Sequence, residues 1–140
     1  MNPGSDVGKK ELPINVRRKF TTFYIEEMED RNDLGKFIEG ILRGVELGAK
    51  YHPMLLATLY LKLKGLSHSN EIGANVGGVH YSLRNLARAL NFMKTSLKNN
   101  ATSNRVDRCL YNALALGFGS GLNIESMKKF NSVITTDLGI

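Results

Sequence analysis

Cysteine is nearly missing from this chain: Cys109 is the only one. One thiol excludes an intrachain disulfide and leaves a cysteine-based zinc site short of ligands, so Cys109 reads as a core residue. Long apolar runs are also missing. None approaches the roughly 20 residues that cross a bilayer, and no membrane segment or membrane partner is expected. The opening residues, Met1-Asn2-Pro3-Gly4-Ser5-Asp6, have neither the basic nor the apolar region of a secretory signal, which points to an intracellular location. The usual enzymatic signatures are absent as well. No GxxxxGK(S/T) phosphate loop, HExxH, GxSxG or GxGxxG occurs, so the chain lacks the parts to hold a nucleotide or a metal by itself. His52, His68 and His80 share no metal-ligand spacing and read as surface or helix-cap residues. No internal repeat or sustained heptad is present.

What the chain does have is enough apolar material for a core. With 140 residues, 42% hydrophobic and 23% charged, it has the composition of one globular unit. Such a length buries roughly two-thirds of its unfolded surface. Nineteen Lys and Arg against thirteen Asp and Glu give a net charge of +6, which suits nucleic acid, nucleotide phosphates or an acidic protein surface. A free-standing basic helical module that binds RNA or an acidic partner is therefore the alternative reading. The positive residues are scattered along the chain instead of concentrated among aromatics on one element, so direct nucleic-acid binding is not expected.

Residues 1 to 19 carry no apolar periodicity and read as extended or looped, with Pro3 and Pro13 set against helix. Phe20-Thr21-Thr22-Phe23-Tyr24-Ile25 is dense in aromatic and β-branched residues and predicts a strand. A lone strand leaves its backbone groups unpaired, so the chain reads as a piece of something larger. Glu26-Glu27 and Glu29-Asp30 read as a solvated acidic turn. Asp30 is placed to cap a helix whose apolar positions are Leu34, Phe37, Ile38, Ile41, Leu42 and Val45, ended by Gly44 and Gly48. Pro53 suits the first turn of the next helix, with its face at Leu56, Leu59, Tyr60 and Leu63 and with Lys62 and Lys64 directed elsewhere. Gly65 to Gly78 reads as a loop.

Ser82 is placed to cap a helix with a stripe at Leu83, Leu86, Leu90, Met93 and Leu97. After a polar break at Lys98 to Asn104, Val106, Leu110, Ala113, Leu114 and Gly117 restore a helical face whose end is marked by Gly117, Gly119 and Gly121. Asn123 caps a last helix bearing Ile124, Met127, Phe130 and Ile134. Arg84 lies off its helix's stripe, in a first turn where a guanidinium meets the positive end of the helix dipole. That position is mildly unfavourable unless the side chain reaches an anion. The plain reading is a solvated arginine; the sharper one is an anion contact.

The order of motifs carries a resemblance. Met1 to Pro13, then Arg17-Arg18-Lys19-Phe20-Thr21, Tyr24-Ile25-Glu26-Glu27, Arg31-Asn32-Asp33-Leu34 and Tyr81-Ser82-Leu83-Arg84-Asn85-Leu86-Ala87-Arg88-Ala89-Leu90 resemble the AAA+ modules of midasins, dynein-related ATPases of large ribosomal subunit maturation. The resemblance runs to about residue 97. Leu110-Tyr111-Asn112-Ala113-Leu114 with Gly117-Phe118 is similar to a further lid helix.

The resemblance implies a mainly α fold: a helical lid at residues 30–140, preceded at 1–29 by the end of the α/β core, including its last strand. It makes Asn2 the sensor 1 residue, Arg84 the sensor 2 arginine on the nucleotide phosphates, and Arg17 or Arg18 the candidate arginine finger. Family members commonly carry Arg directly before the Phe-Thr, where this chain has Lys19. A lysine does not reproduce the forked guanidinium contact. ATP and Mg2+ are implied for the parent module and none for this piece alone, which lacks Walker A and Walker B and should be inactive by itself. Neighbouring AAA+ modules of the same chain, the pre-60S ribosomal particle and a nuclear location are implied in the same way.

Overall fold

A computed structural model describes residues 13–21, 26–48, 50–73, 78–99 and 106–139. They form six α-helices: α1 (Ile14–Arg17), α2 (Arg31–Leu42), α3 (Pro53–His68), α4 (Leu83–Asn99), α5 (Val106–Leu114) and α6 (Ile124–Leu138). A π-helical turn, Ala115–Gly119, continues α5. Among the described residues there is no strand. Of the expected strand, Phe20 and Thr21 are irregular, and residues 22–25 lie outside the described part.

The helix starts follow side-chain chemistry. Asp30 Oδ1 accepts from the amides of Asn32 and Asp33 at 2.8 and 3.0 Å, a cap contributing about 1 kcal/mol. Pro53 opens α3, where its missing N–H has no helical partner to lose, and His52 Nδ1 accepts from the Leu55 amide at 3.1 Å. Asn123 accepts from the Ser126 amide at 2.8 Å. Two lysines close helix ends: Lys94 donates to the Ile41 carbonyl at 2.6 Å, and Lys50 donates to the Gly139 carbonyl at 3.2 Å. Each supplies positive charge where helix carbonyls lack partners.

The amphipathic faces meet in one core. Leu34 and Ile38 of α2, Leu59 and Leu63 of α3, Leu86, Leu90 and Met93 of α4, Leu110 of α5, and Phe130 and Ile134 of α6 are all buried. Helix α2 packs on α3 and α4, α4 packs on α5 and the π-turn, and α3 touches α6. Gly35 lies against Met54 where α2 packs on α3: a Cβ there would stand 2.6 Å from the Met54 sulfur, and that flexible side chain would have to shift. An aromatic group lies at the centre. Phe118 meets Tyr81 edge-on at 5.1 Å and tilts against Tyr60 at 6.2 Å. Cys109 is buried and free.

Four elements differ from the sequence-based expectation. Pro13 does not prevent a helix but immediately precedes α1, a position that tolerates proline. Helix α3 runs past Gly65 to His68, because Leu66 is partly buried and the buried Ser67 hydroxyl donates to the Val79 carbonyl. Gly117 does not terminate α5, since the chain continues in the π-turn to Gly119. Lys64 lies within the buried face of α3 and is only 5% exposed.

Candidate functional site

Two cation-bearing regions stand out, and the structure treats them in opposite ways. The first is the start of α4. Ser82 occupies the cap position, with its carbonyl accepting from the amides of Asn85 and Leu86. Its side chain does not cap by itself. Asn85 turns back so that its Oδ1 accepts from both the Ser82 amide, at 3.2 Å, and the Ser82 hydroxyl, at 2.8 Å. The Asn85 amide nitrogen donates to the Gly117 carbonyl in the π-turn at 3.2 Å. The neighbouring Tyr81 hydroxyl donates to the Phe118 carbonyl at 2.7 Å, and burial pushes the Tyr81 pKa up to about 12. On this base Arg84 is exposed. Among the described residues it has no hydrogen-bond or ion-pair partner.

The second region is the acidic lead-in to α2. Lys64 Nζ donates to Glu27 at 2.5 Å and to Glu29 at 2.7 Å. Burial works against the Lys64 ammonium, but the bonds from the two carboxylates outweigh it and raise its pKa above the ordinary lysine value. The Lys64 hydrogen bond likewise holds Glu27 below the usual carboxylate range. His80 Nε2 lies 3.5 Å from Glu27, and its ring stacks on His68 with centroids 6.0 Å apart. Residues expected to be a solvated acidic turn are therefore a strap fastened to α3, although both carboxylates keep more than half of their surface in water. The spacing held a signal for this: Tyr60, Lys64 and Ser67 fall on one helical stripe.

The remaining site residues are less connected. Asn2 lies outside the described residues, as does the side chain of Arg17, whose backbone belongs to α1. Arg18 and Lys19 are exposed in the turn after α1. No hydrogen bond or ion pair among the described residues ties α1 to α4. A separate open groove of about 980 Å³, lined by Lys36, Glu39, Arg43, Tyr51 and His52 among others, does not include Arg84. Among the described residues no cluster suits a metal ion, and no helix is long and apolar enough to cross a membrane.

A unit whose described residues form helices without a strand, and which carries an exposed arginine on a braced helix start, has the form of a helical lid subdomain. The chain belongs to the midasin AAA lid domain family, whose sequence pattern matches residues 33–139. It is 34% identical over 143 residues to midasin of Giardia intestinalis, covering 99% of this chain and 3% of that protein. Against midasin of Dictyostelium discoideum the identity is 29% over 134 residues, covering 96% of this chain and 2% of that protein. The chain thus spans a small part of these relatives. No solved structure matches it.

Proposed function

We propose that this chain is the lid side of a nucleotide site in one AAA+ module of a midasin-like ATPase, with residues 30–140 as the lid and 1–29 as the end of the ATPase core. The observation that carries the reading is Arg84, exposed and without a partner among the described residues, on the first turn of a helix whose opposite face is locked into the core. A guanidinium so placed fits a phosphate, being always charged and able to donate in a fork. Arg88, one turn further along α4, is exposed as well, so this helix face offers two guanidiniums; with no phosphate loop in the sequence, the fit is to part of a site.

ATP with Mg2+, bound where core and lid meet, supplies the phosphoryl group whose transfer to water drives the cycle. Arg84 neutralises phosphate charge from the lid side. Asn2 serves as sensor 1, and Arg17 or Arg18 serves as the finger toward the neighbouring module, Lys19 being unable to fork. Contact between Arg84 and phosphate makes the angle of the lid depend on the nucleotide, and that rigid-body motion passes to the adjacent modules. The parent acts on pre-60S ribosomal particles in the nucleus, and this chain alone does not hydrolyse ATP.

The test is Arg84→Ala in the intact protein. Loss of a charge-assisted contact worth about 1.5–3 kcal/mol should weaken binding of a non-hydrolysable ATP analogue at this module roughly 10-fold to 100-fold. Unchanged affinity and turnover would refute the assignment.

A further inference from the structure

We propose that Asn85, backed by the π-turn, is a positioning residue for Arg84. This rests on the reading of Arg84 as a phosphate contact. Helix starts are weak points, because their first amides lack intrahelical partners and the first turn frays. Here the turn is held from outside the helix. The Asn85 side chain takes the Ser82 amide and hydroxyl on its oxygen and gives its nitrogen to the Gly117 carbonyl. Its amide orientation follows from those partners, since only nitrogen can donate to a carbonyl and only oxygen can accept from an amide.

The other half of the brace is the π-turn itself. Carbonyls near a helix end lack helical partners, and here two of them are taken by side chains from the α4 region: Gly117 by Asn85 and Phe118 by Tyr81. Gly117 also lets the two elements meet, because a Cβ there would stand 2.8 Å from Ala89 Cβ. The residue that joins the helix start to this base is the immediate neighbour of Arg84. A first turn that frays presents Arg84 only part of the time, and apparent affinity falls by that fraction.

The test separates bracing from ordinary capping. In the intact protein, Asn85→Ala should weaken binding of a non-hydrolysable ATP analogue roughly threefold to tenfold, the equivalent of one neutral hydrogen bond. The Asn85→Ala, Arg84→Ala double variant should bind no more weakly than Arg84→Ala alone, because one residue acts through the other. Asn85→Asp keeps an acceptor for Ser82 and suits a helix start, but cannot donate to Gly117; it should fail to restore affinity. In the 140-residue chain, Asn85→Ala should speed amide hydrogen exchange at residues 85 and 86, whose amides are bonded to the Ser82 carbonyl, while leaving residues 59–63 of α3 unchanged.

Additive loss in the double variant, full rescue by Asn85→Asp, or unchanged exchange at residues 85 and 86 would each overturn the proposal. If Arg84→Ala itself leaves affinity unchanged, the phosphate reading falls and takes the positioning role with it. If Arg84→Ala weakens binding and Asn85→Ala does not, only the positioning role falls.

Discussion

Lys64 and Arg84 carry the same charge and meet opposite circumstances. Lys64 is almost fully buried and holds two carboxylates; Arg84 is exposed and holds nothing among the described residues. A cation matched inside the chain is committed to the fold, since removing its partners or reversing its sign leaves an uncompensated charge. A cation with no internal match adds little to the fold and remains available to an external anion. Charge alone would not separate them; helical spacing does, since Lys64 falls on the buried stripe of Tyr60 and Ser67 and Arg84 lies off the apolar stripe of its own helix.

The comparison can be broken in graded steps. Charge reversal should have the largest effect: Lys64→Glu places a third carboxylate against Glu27 and Glu29 and should cost about 3 kcal/mol or more, whereas Arg84→Glu should stay within roughly 0.5 kcal/mol by chemical denaturation. A comparable loss in the two variants would erase the distinction.

Gly117→Ala comes next, because its Cβ would press on Ala89 and on the Asn85 carbonyl at 3.2 Å. Overpacking of this kind costs about 1–3 kcal/mol. The loss should show in the denaturation midpoint, together with faster exchange in the first turn of α4.

Lys64→Met keeps the apolar stem and removes the ion pairs, for a loss of about 1 kcal/mol. Its pH dependence has a definite sign. Glu27 is held below its ordinary value of 4.5 chiefly by the Lys64 bond, so that stabilisation is complete above 4.5 and is lost as pH falls through the lowered value. Lys64 is raised above 10.5, so its share is complete below 10.5 and is lost as pH rises through the raised value. The gap in melting temperature between wild type and Lys64→Met should therefore be wide near neutrality and close at both extremes.

Smallest of all is Arg84→Ala, with a stability change within roughly 0.5 kcal/mol. It sharpens the contrast only in combination with weakened nucleotide binding by the intact protein.

Much of the helical framework was legible because the apolar residues of α2, α3, α4 and α6 keep a 3.6-residue period and because Asp30, Pro53 and Asn123 are strong start signals. The exposure of Arg84 followed from its lying off the Leu83, Leu86, Leu90 stripe. Three features were not legible, each for its own reason. Lys64 was directed outward because charge outweighed its place on the Tyr60 and Ser67 stripe, and the carboxylates that change the balance are more than thirty positions away. Gly117 and Gly119 read as terminators because glycine usually ends helices; here they permit contact with Ala89 and Met127. The Asn85 link to Gly117 joins distant parts of the chain, and no local pattern encodes it.

The π-turn makes chain length itself a constraint. One residue fewer between Ala115 and Gly119 would favour continuation as an ordinary α-helix, whose hydrogen bonds close one residue earlier. Each residue of an α-helix also turns the chain by about 100°, so Phe118 would swing off the Tyr81 and Tyr60 rings. Point substitutions at the exposed Leu116 leave that phase intact. A single deletion or insertion beside it does not, and among relatives of this lid the segment should vary in residue type before it varies in length.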